Sequence, residues 1–217
     1  MLNWDGDYVR FFLVFLASVT PAYLLGGVNG AIITSKLFYR KDIRKFGSGN
    51  PGLTNFYRVF GKASALVVVA IDVFKTVAPV LFGGWLFGKF FDMTFFGRAV
   101  SGFFVMLGHC FPAYYKFKGG KGIMAAGAIL FVLDWKMALV SWGTFIIVAA
   151  ITRYVSLGSM IGGALFPVTL IIFDHWGIGE FIAMLLCSVL IIVRHEGNIR
   201  RLVHGEESKF SFRRKSE

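Results

Sequence analysis

The amino-acid sequence predicts an all-α membrane protein built as a bundle of seven transmembrane helices. Its 217 residues are 56% hydrophobic and only 16% charged, and the mean hydropathy is +0.68. Apolar stretches recur along the whole chain, which excludes a soluble core surrounded by a polar surface. Lysine and arginine are concentrated in alternate connecting segments, as expected for a chain that crosses a membrane several times.

Seven apolar segments are predicted to form the helices. The stretch 123–152 is too long for one span, and the polar residues 134–136 divide it into two helices joined by a tight connection. The first of these has about twelve residues and a length of roughly 18 Å, less than the about 30 Å of hydrocarbon. We therefore expect the loop before it to be recessed into a hydrated cavity. The other five spans cover about residues 11–38, 63–87, 99–115, 154–173 and 178–193.

The distribution of basic residues predicts an N-terminus outside the cell and a C-terminus in the cytoplasm. In this orientation 18 of the 23 lysines and arginines lie on the cytoplasmic side, and four lie outside. Lys75 is the remaining one, within the second span. The net charge of +11 is spread over short cytoplasmic loops, so nucleic-acid binding is not expected.

Several other features are predicted to be absent. The acidic start of the chain has no basic region and no small-residue cleavage site, unlike a signal peptide. The only two cysteines, Cys110 and Cys187, lie within apolar segments and are predicted to be core residues. The sequence shows no carboxylate cluster or metal-ligand spacing, so we expect neither a metal nor a cofactor.

Three polar, glycine-containing segments are predicted to meet at the cytoplasmic face. They are 47–58, 116–122 and 194–201, and the short segment 152–159 joins them. Glycine allows backbone N–H groups to turn together toward an anion. Neutral donors and positive charges accompany the glycines, namely Ser48, Asn50, Thr54, Asn55, Arg58, Lys121, Arg194 and Arg201. This chemistry suits phosphate and indicates more than one phosphate group.

Two nucleotide-binding motifs are matched only in part. Gly47, Gly49 and Gly52 spell G-x-G-x-x-G with Asp72 twenty residues later, but a membrane span precedes them instead of a β-strand. The sequence GGKG at 119–122 lacks both the serine or threonine and the upstream glycine of an ATP-binding loop. Dinucleotide binding and ATP hydrolysis are therefore not expected.

Polar residues within the predicted spans have two interpretations. Asp72, Lys75 and His109 face a functional interior, or Asp72 and Lys75 simply satisfy one another as an i,i+3 pair. His195 differs because it lies at the cytoplasmic end of the last span. If that helix continues, Asn198 follows one turn later on the same face.

Besides an enzyme that acts on phosphate compounds, two other function classes remain open on these observations. The segments 26–30 and 159–165 are rich in glycine, as are the broken helices of transporters, which favours a transporter for a phosphorylated metabolite. No internal repeat supports that interpretation. A non-catalytic lipid-binding scaffold is the third class, although it would not need Lys121 or Asn198.

Four segments taken together resemble the PlsY family over about residues 25–202. They are GSGNPGLTN followed by Arg58, Gly61 and Lys62, then GHCFPAYYKFKGGKG, RYVSLGS and RHEGNIRRL. PlsY proteins are acyl-phosphate:glycerol-3-phosphate acyltransferases of the bacterial inner membrane, with the active site toward the cytoplasm. The resemblance implies transfer of a fatty acyl group from acyl phosphate to the 1-hydroxyl of glycerol 3-phosphate. The products are lysophosphatidate, a phospholipid precursor, and phosphate.

The resemblance also implies a role for individual residues. Acyl phosphate is expected to bind Ser48, Gly49, Asn50, Gly119, Gly120 and Gly122. Glycerol 3-phosphate is expected to bind Arg58, Lys121, Ser159, His195, Asn198 and Arg201. The residues expected to be catalytic are Ser48, Lys121 and His195. Transfer is expected to be direct, without an acyl-enzyme, and the base is either His195 or the donor's own phosphate.

The predicted domain organisation is simple. Residues 1–204 form one transmembrane acyltransferase domain, and 205–217 form a polar, basic cytoplasmic tail that is expected to be disordered. We expect a monomer that is embedded in the lipid bilayer. An acyl-phosphate-producing enzyme is the expected functional partner.

Overall fold

The computed structural model describes residues 4–175 and 177–210, and all regular structure within them is helical. Residues 211–217 of the predicted tail lie outside this described part. The α-helices in it are α1 (Trp4–Gly26), α2 (Gly30–Tyr39), α3 (Leu53–Phe60), α4 (Lys62–Phe91), α5 (Thr94–Cys110), α6 (Ile123–Leu133), α7 (Trp135–Thr152), α8 (Val155–Ala164), α9 (Phe166–Ile172), α10 (Ile178–Arg194) and α11 (Glu196–Val203).

Each of the seven predicted apolar segments is helical. The predicted break at 134–136 is a single residue, Asp134, which ends α6 and caps α7 by accepting a hydrogen bond from the Lys136 N–H at 2.8 Å. Helix α6 has 11 residues and is therefore as short as expected. The first segment is interrupted between α1 and α2, and the sixth bends at Leu165 between α8 and α9.

Among the described residues, four segments are long and apolar enough to cross a membrane, namely Gly6–Tyr39, Lys62–Phe91, Thr94–Tyr115 and Trp135–Thr152. The pairs α8–α9 and α10–α11 also qualify, as spans bent by 43° and 54°. These six candidates and the short apolar α6 correspond to the seven predicted helices. The number that cross the bilayer and the orientation of the termini stay predictions.

Helix α5 lies at the centre of the bundle and packs against α1, α4, α6 and α10. Its approach to α1 depends on glycine on both sides. A Cβ atom on Gly26 would lie 2.4 Å from the Val105 carbonyl oxygen, and one on Gly108 would lie 2.1 Å from the Tyr23 carbonyl oxygen. The two backbones therefore touch directly, which fixes the C-terminal end of α5 where the polar loop 116–122 follows.

A second cluster of buried side chains holds α2, α3 and α4 together around the segment between them. Ile32, Ile43, Phe56 and Val68 are completely or almost completely buried there. Tyr39 completes the cluster: it stacks on Phe60 with ring centroids 4.2 Å apart, and its hydroxyl lies 2.6 Å from the Ser64 Oγ. This packing anchors the glycine-containing segment before α3.

Candidate active site

A cavity of about 420 Å³ opens where the predicted polar segments meet. Most of the predicted site residues line it, namely Ser48, Asn50, Arg58, Lys121, Gly122, Ser159, His195, Asn198 and Arg201. Gly49, Gly119 and Gly120 belong to the same two loops but do not line the cavity. The convergence of segments that are far apart in sequence agrees with the prediction of a single site.

The loop 46–52 is held by two buried side chains, that of Asn55 in α3 and that of Asn29, whose Nδ2 donates to the Pro51 carbonyl at 3.0 Å. Asn55 makes most of the bonds. Its Oδ1 accepts from the Ser48 N–H at 2.9 Å, and its Nδ2 donates to the carbonyls of Phe46 at 3.0 Å and Asn50 at 3.1 Å. The Gly49 N–H donates to the Phe46 carbonyl at 3.0 Å. The N–H groups of Ser48 and Gly49 are therefore bonded within the loop, and the binding of an anion by the glycine N–H groups stays a prediction.

Three polar side chains of this loop and of the following helix α3 are free to bind a ligand instead. In the described part of the chain, neither the Ser48 hydroxyl nor the Asn50 amide has a hydrogen-bond partner, and the Arg58 guanidinium has no ion pair. All three groups line the cavity. Unpaired donors of this kind are the ligands that a phosphate group requires.

The loop 116–122 is held by distant parts of the chain. The Gly120 N–H donates to the His109 carbonyl at 3.1 Å, and Arg194 donates to the carbonyls of Gly119 at 2.9 Å and Gly120 at 3.1 Å. Gly122 then adopts a left-handed conformation with φ +81° and starts α6. Because α6 begins at the cavity, its first N–H groups and the positive end of its dipole lie where an anion would bind.

Arg194 was predicted to supply positive charge to phosphate, and the structure gives it another role. It does not line the cavity, its guanidinium donates to the two glycine carbonyls, and it lies 5.2 Å from the centre of the Phe111 ring. Its charge is committed to holding the loop in place.

Lys121 projects from this loop and donates to the Asn198 Oδ1. The pKa of Lys121 is lowered to about 8, chiefly by burial; Glu207 opposes this shift, and the nearby charges of Arg201, Arg194 and Arg58 add to it. An ammonium in such surroundings lacks a full counter-charge. A bound phosphate would supply that charge.

His195 lies at the bend between α10 and α11, where it is 2% exposed and lines the cavity. Its Nδ1 donates to the Ile191 carbonyl at 2.7 Å. Since the proton is on Nδ1, Nε2 of the neutral ring carries a lone pair that can accept a proton. Ser159 of α8 also lies in the cavity wall, and its hydroxyl donates to the Val155 carbonyl at 2.9 Å.

Glu207 belongs to the segment predicted as a disordered tail, and the sequence did not identify it as part of the site. Residues 205–210 fold back to the site, and Glu207 accepts hydrogen bonds from Ser156 and Asn198, each at 2.6 Å, and from Arg201 at 2.8 Å. Burial would raise the pKa of Glu207, but these hydrogen bonds and the charge of Arg201 lower it overall. A carboxylate therefore lies in the cavity wall beside Asn198 and Arg201.

An apolar part of the cavity continues from the polar loops along α6. It extends from Gly122 at the start of the helix to Leu130, about 12 Å further on at 1.5 Å per residue. Its other walls come from α7 to α10, with Trp142, Phe145, Phe166 and Ile191. One cavity thus joins a region with unpaired donors and positive charge to an apolar space along α6.

The fold and the site define a helical membrane protein whose cavity has a polar, positively charged region and an apolar region. Comparison with known proteins gives the family. Residues 16–205 match the glycerol-3-phosphate acyltransferase family. The chain is 36% identical over 195 residues to the glycerol-3-phosphate acyltransferases of Francisella philomiragia and Francisella tularensis subsp. novicida. That alignment covers 90% of this chain and 92% of each relative.

Solved structures agree with this assignment. The fold is similar to PlsY, an integral membrane glycerol 3-phosphate acyltransferase, in its glycerol 3-phosphate form, with a TM-score of 0.81 and 31% identity over 91% of this chain and 96% of that one. The lysophosphatidic acid form gives a TM-score of 0.79 and 30% identity over 91% and 95% of the two chains. The chain belongs to the glycerol-3-phosphate acyltransferase (PlsY) family and is an integral membrane protein.

Proposed function

We propose that the protein transfers a fatty acyl group from acyl phosphate directly to the 1-hydroxyl of glycerol 3-phosphate. The products are lysophosphatidate and inorganic phosphate. The observation that carries this proposal is the single cavity that joins unpaired phosphate ligands to an apolar space along α6. An acyl phosphate has the same two parts, and its acceptor brings a second phosphate.

The two substrates use different walls of the cavity in this proposal. The acyl phosphate binds between the loops 46–52 and 116–122, with its chain along α6. The side chains of Ser48 and Asn50 and the first amides of α6 hold its phosphate. Gly49 has a φ of +71°, and a Cβ atom on Gly119 or Gly120 would lie 2.1 or 2.3 Å from an atom of His109, so these glycines allow the two loops their shape.

Glycerol 3-phosphate binds on the side of α8, α10 and α11. Arg58, Lys121 and Arg201 surround its phosphate with positive charge, while Ser159, His195 and Asn198 orient its hydroxyl groups. Because Arg201 and Asn198 are bonded to Glu207, that carboxylate fixes the position of both donors.

The chemical step then follows from proximity. The 1-hydroxyl oxygen attacks the acyl carbonyl carbon, a new ester C–O bond forms, and the C–O bond to phosphate breaks. The hydroxyl proton moves to His195 Nε2 or to an oxygen of the departing phosphate. Lys121 and the start of α6 stabilise the negative charge that develops.

The described part of the chain offers no evident nucleophile for an acyl-enzyme. Cys110 and Cys187 are fully buried, and in the described part of the chain no serine or cysteine is hydrogen-bonded to a histidine. A nucleophile and its base normally lie within hydrogen-bond distance. This arrangement supports direct transfer from the already activated acyl phosphate.

The predicted topology fits the same function. We place the protein in the inner membrane as a monomer with the cavity toward the cytoplasm, where 18 of the 23 lysines and arginines would lie. The acyl chain then stays in the bilayer while glycerol 3-phosphate enters from water. An enzyme that makes acyl phosphate must supply the donor.

The direct test is an assay of the purified protein in lipid nanodiscs. Supplied with acyl phosphate and labelled glycerol 3-phosphate, it should form lysophosphatidate and phosphate in equal amounts. An acyl thioester offered in place of acyl phosphate should give much less product. Product formation from the thioester combined with none from acyl phosphate would refute the proposed donor.

A further inference from the structure

Three buried polar side chains lie behind the loop 116–122 and have no role in the function proposed above. They are Asp72 and Lys75 of α4 and His109 of α5, exposed by 3%, 3% and 4%. The Lys75 Nζ lies 2.9 Å from the Asp72 Oδ1 and 2.9 Å from the His109 Nδ1, and it also donates to the Val28 carbonyl. The sequence left open whether the aspartate and lysine only satisfy each other, and the structure adds the histidine.

The contacts of Lys75 determine the proton position on His109. An ammonium group has three N–H donors and no acceptor, and the Asp72 carboxylate, the Val28 carbonyl and the His109 Nδ1 surround it. The His109 Nδ1 must therefore accept. The proton of the neutral imidazole is then on Nε2.

The Nε2 edge of the His109 ring faces the loop and the cavity. A Cβ atom on Gly120 would lie 2.3 Å from Nε2, so only glycine allows the ring this close. His109 lines the cavity together with Asp72, Ser48 and Asn50. Within the described part of the chain, Nε2 has no hydrogen-bond partner of its own.

We propose that His109 donates its Nε2–H to the bound acyl phosphate, and that Asp72 and Lys75 are positioning residues that hold this tautomer. A neutral donor adds a hydrogen bond to the anion without burying another uncompensated charge, since Asp72 and Lys75 balance one another. This inference rests on the proposed function, because it takes the ligand beside the loop 116–122 to be acyl phosphate.

The tautomer can be measured without any activity assay. The chain has four histidines, so ¹⁵N-histidine NMR of the protein in nanodiscs can be assigned by single substitutions. At neutral pH the His109 ring should carry its proton on Nε2, with a bare Nδ1. A proton on Nδ1, or on both nitrogens, would overturn the inference.

Two matched substitutions then test the donor itself. In His109→Gln the amide nitrogen can take the place of Nε2, whereas His109→Asn keeps an acceptor for Lys75 but has no donor at that place. We expect His109→Asn to lower kcat/KM for acyl phosphate roughly 10- to 100-fold while KM for glycerol 3-phosphate changes less than about twofold. His109→Gln should recover at least about one third of the wild-type value.

The control is His175→Gln, at the other end of α6, where the ring is bonded to Asp134 at 2.7 Å. It should keep wild-type kinetics. Equal losses in both His109 variants, or losses shared equally by both substrates, would overturn the inference. An inactive wild-type protein in the same assay would instead refute the proposed function, and the NMR result would still stand as the measurement of the tautomer.

Discussion

The two loops that face each other across the cavity are held in opposite ways. The loop 46–52 is bonded by Asn55, which lies in the helix that directly follows it. The loop 116–122 is bonded by Arg194, 75 and 74 positions away from the two carbonyls it contacts, and by His109 of α5. Asn29, 22 positions before Pro51, also bonds the first loop. The bonds of the first loop therefore come from nearby in the sequence, whereas those of the second loop come from α5 and from the end of α10. The phosphate binding that we propose for the second loop would therefore depend on the packing of the bundle.

The largest effect should come from Lys121, which the second loop presents to the cavity. Lys121→Met removes the charge but keeps an unbranched side chain, and kcat/KM should fall about 100-fold or more, because a charge-assisted contact is lost where negative charge develops. Steady-state kinetics in nanodiscs measures this. Lys118→Met, at an exposed position of the same loop, is the control and should stay within twofold of wild type. Similar rates for the two variants would remove Lys121 from the site.

Arg194→Gln tests the long-range support of the second loop. We expect a roughly 10- to 30-fold loss of kcat/KM, since two charge-assisted hydrogen bonds to the loop carbonyls disappear. Hydrogen exchange should become faster in residues 116–122 and stay unchanged in 46–52. Arg40→Gln, an exposed position after α2, serves as the control. Unchanged exchange in 116–122 would contradict the role of Arg194.

Asn55→Ala tests the local loop in the same way. Three hydrogen bonds are lost, so KM for acyl phosphate should rise about tenfold. Faster hydrogen exchange should be confined to residues 46–52. If exchange also increases in 116–122, the two loops are one cooperative unit and the contrast between them is wrong.

The pH dependence should be smaller but informative. Because burial lowers the pKa of Lys121 to about 8, the free enzyme loses the charged form as the pH rises through about 8. Only the charged form attracts phosphate, so kcat/KM should fall above that pH, by about tenfold per pH unit at most. Lys121→Arg, whose pKa is above about 12, should lack this alkaline decrease in whatever activity it retains. An unchanged alkaline decrease in Lys121→Arg would assign the titration to another group.

Local signals in the sequence predicted much of the fold. The polar residues 134–136 predicted two helices in the stretch 123–152, and the structure confirms them as α6 and α7, with Asp134 between them. The short length of α6 follows from the position of this break. The glycine-containing segments predicted where the cavity would be, and most of the residues chosen from them line it. These features are encoded within a few residues of one another.

Contacts over long sequence distances account for what was missed. Arg194 is a basic residue at a helix end, and nothing nearby in sequence shows that its guanidinium holds Gly119 and Gly120. Glu207 lies in a polar segment without any motif, and its place beside Asn198 depends on the turn after α11. The tautomer of His109 depends on Lys75, which is 34 positions away.

Isotope exchange tests direct transfer, the central claim, most directly. The purified protein is incubated with acyl phosphate and ³²P-labelled inorganic phosphate, without glycerol 3-phosphate. Direct transfer predicts no label in acyl phosphate, because the acyl group leaves phosphate only when the acceptor hydroxyl attacks it. Adding glycerol 3-phosphate to the same sample should start lysophosphatidate formation. Label entering acyl phosphate before that addition would demonstrate an acyl-enzyme and contradict direct transfer.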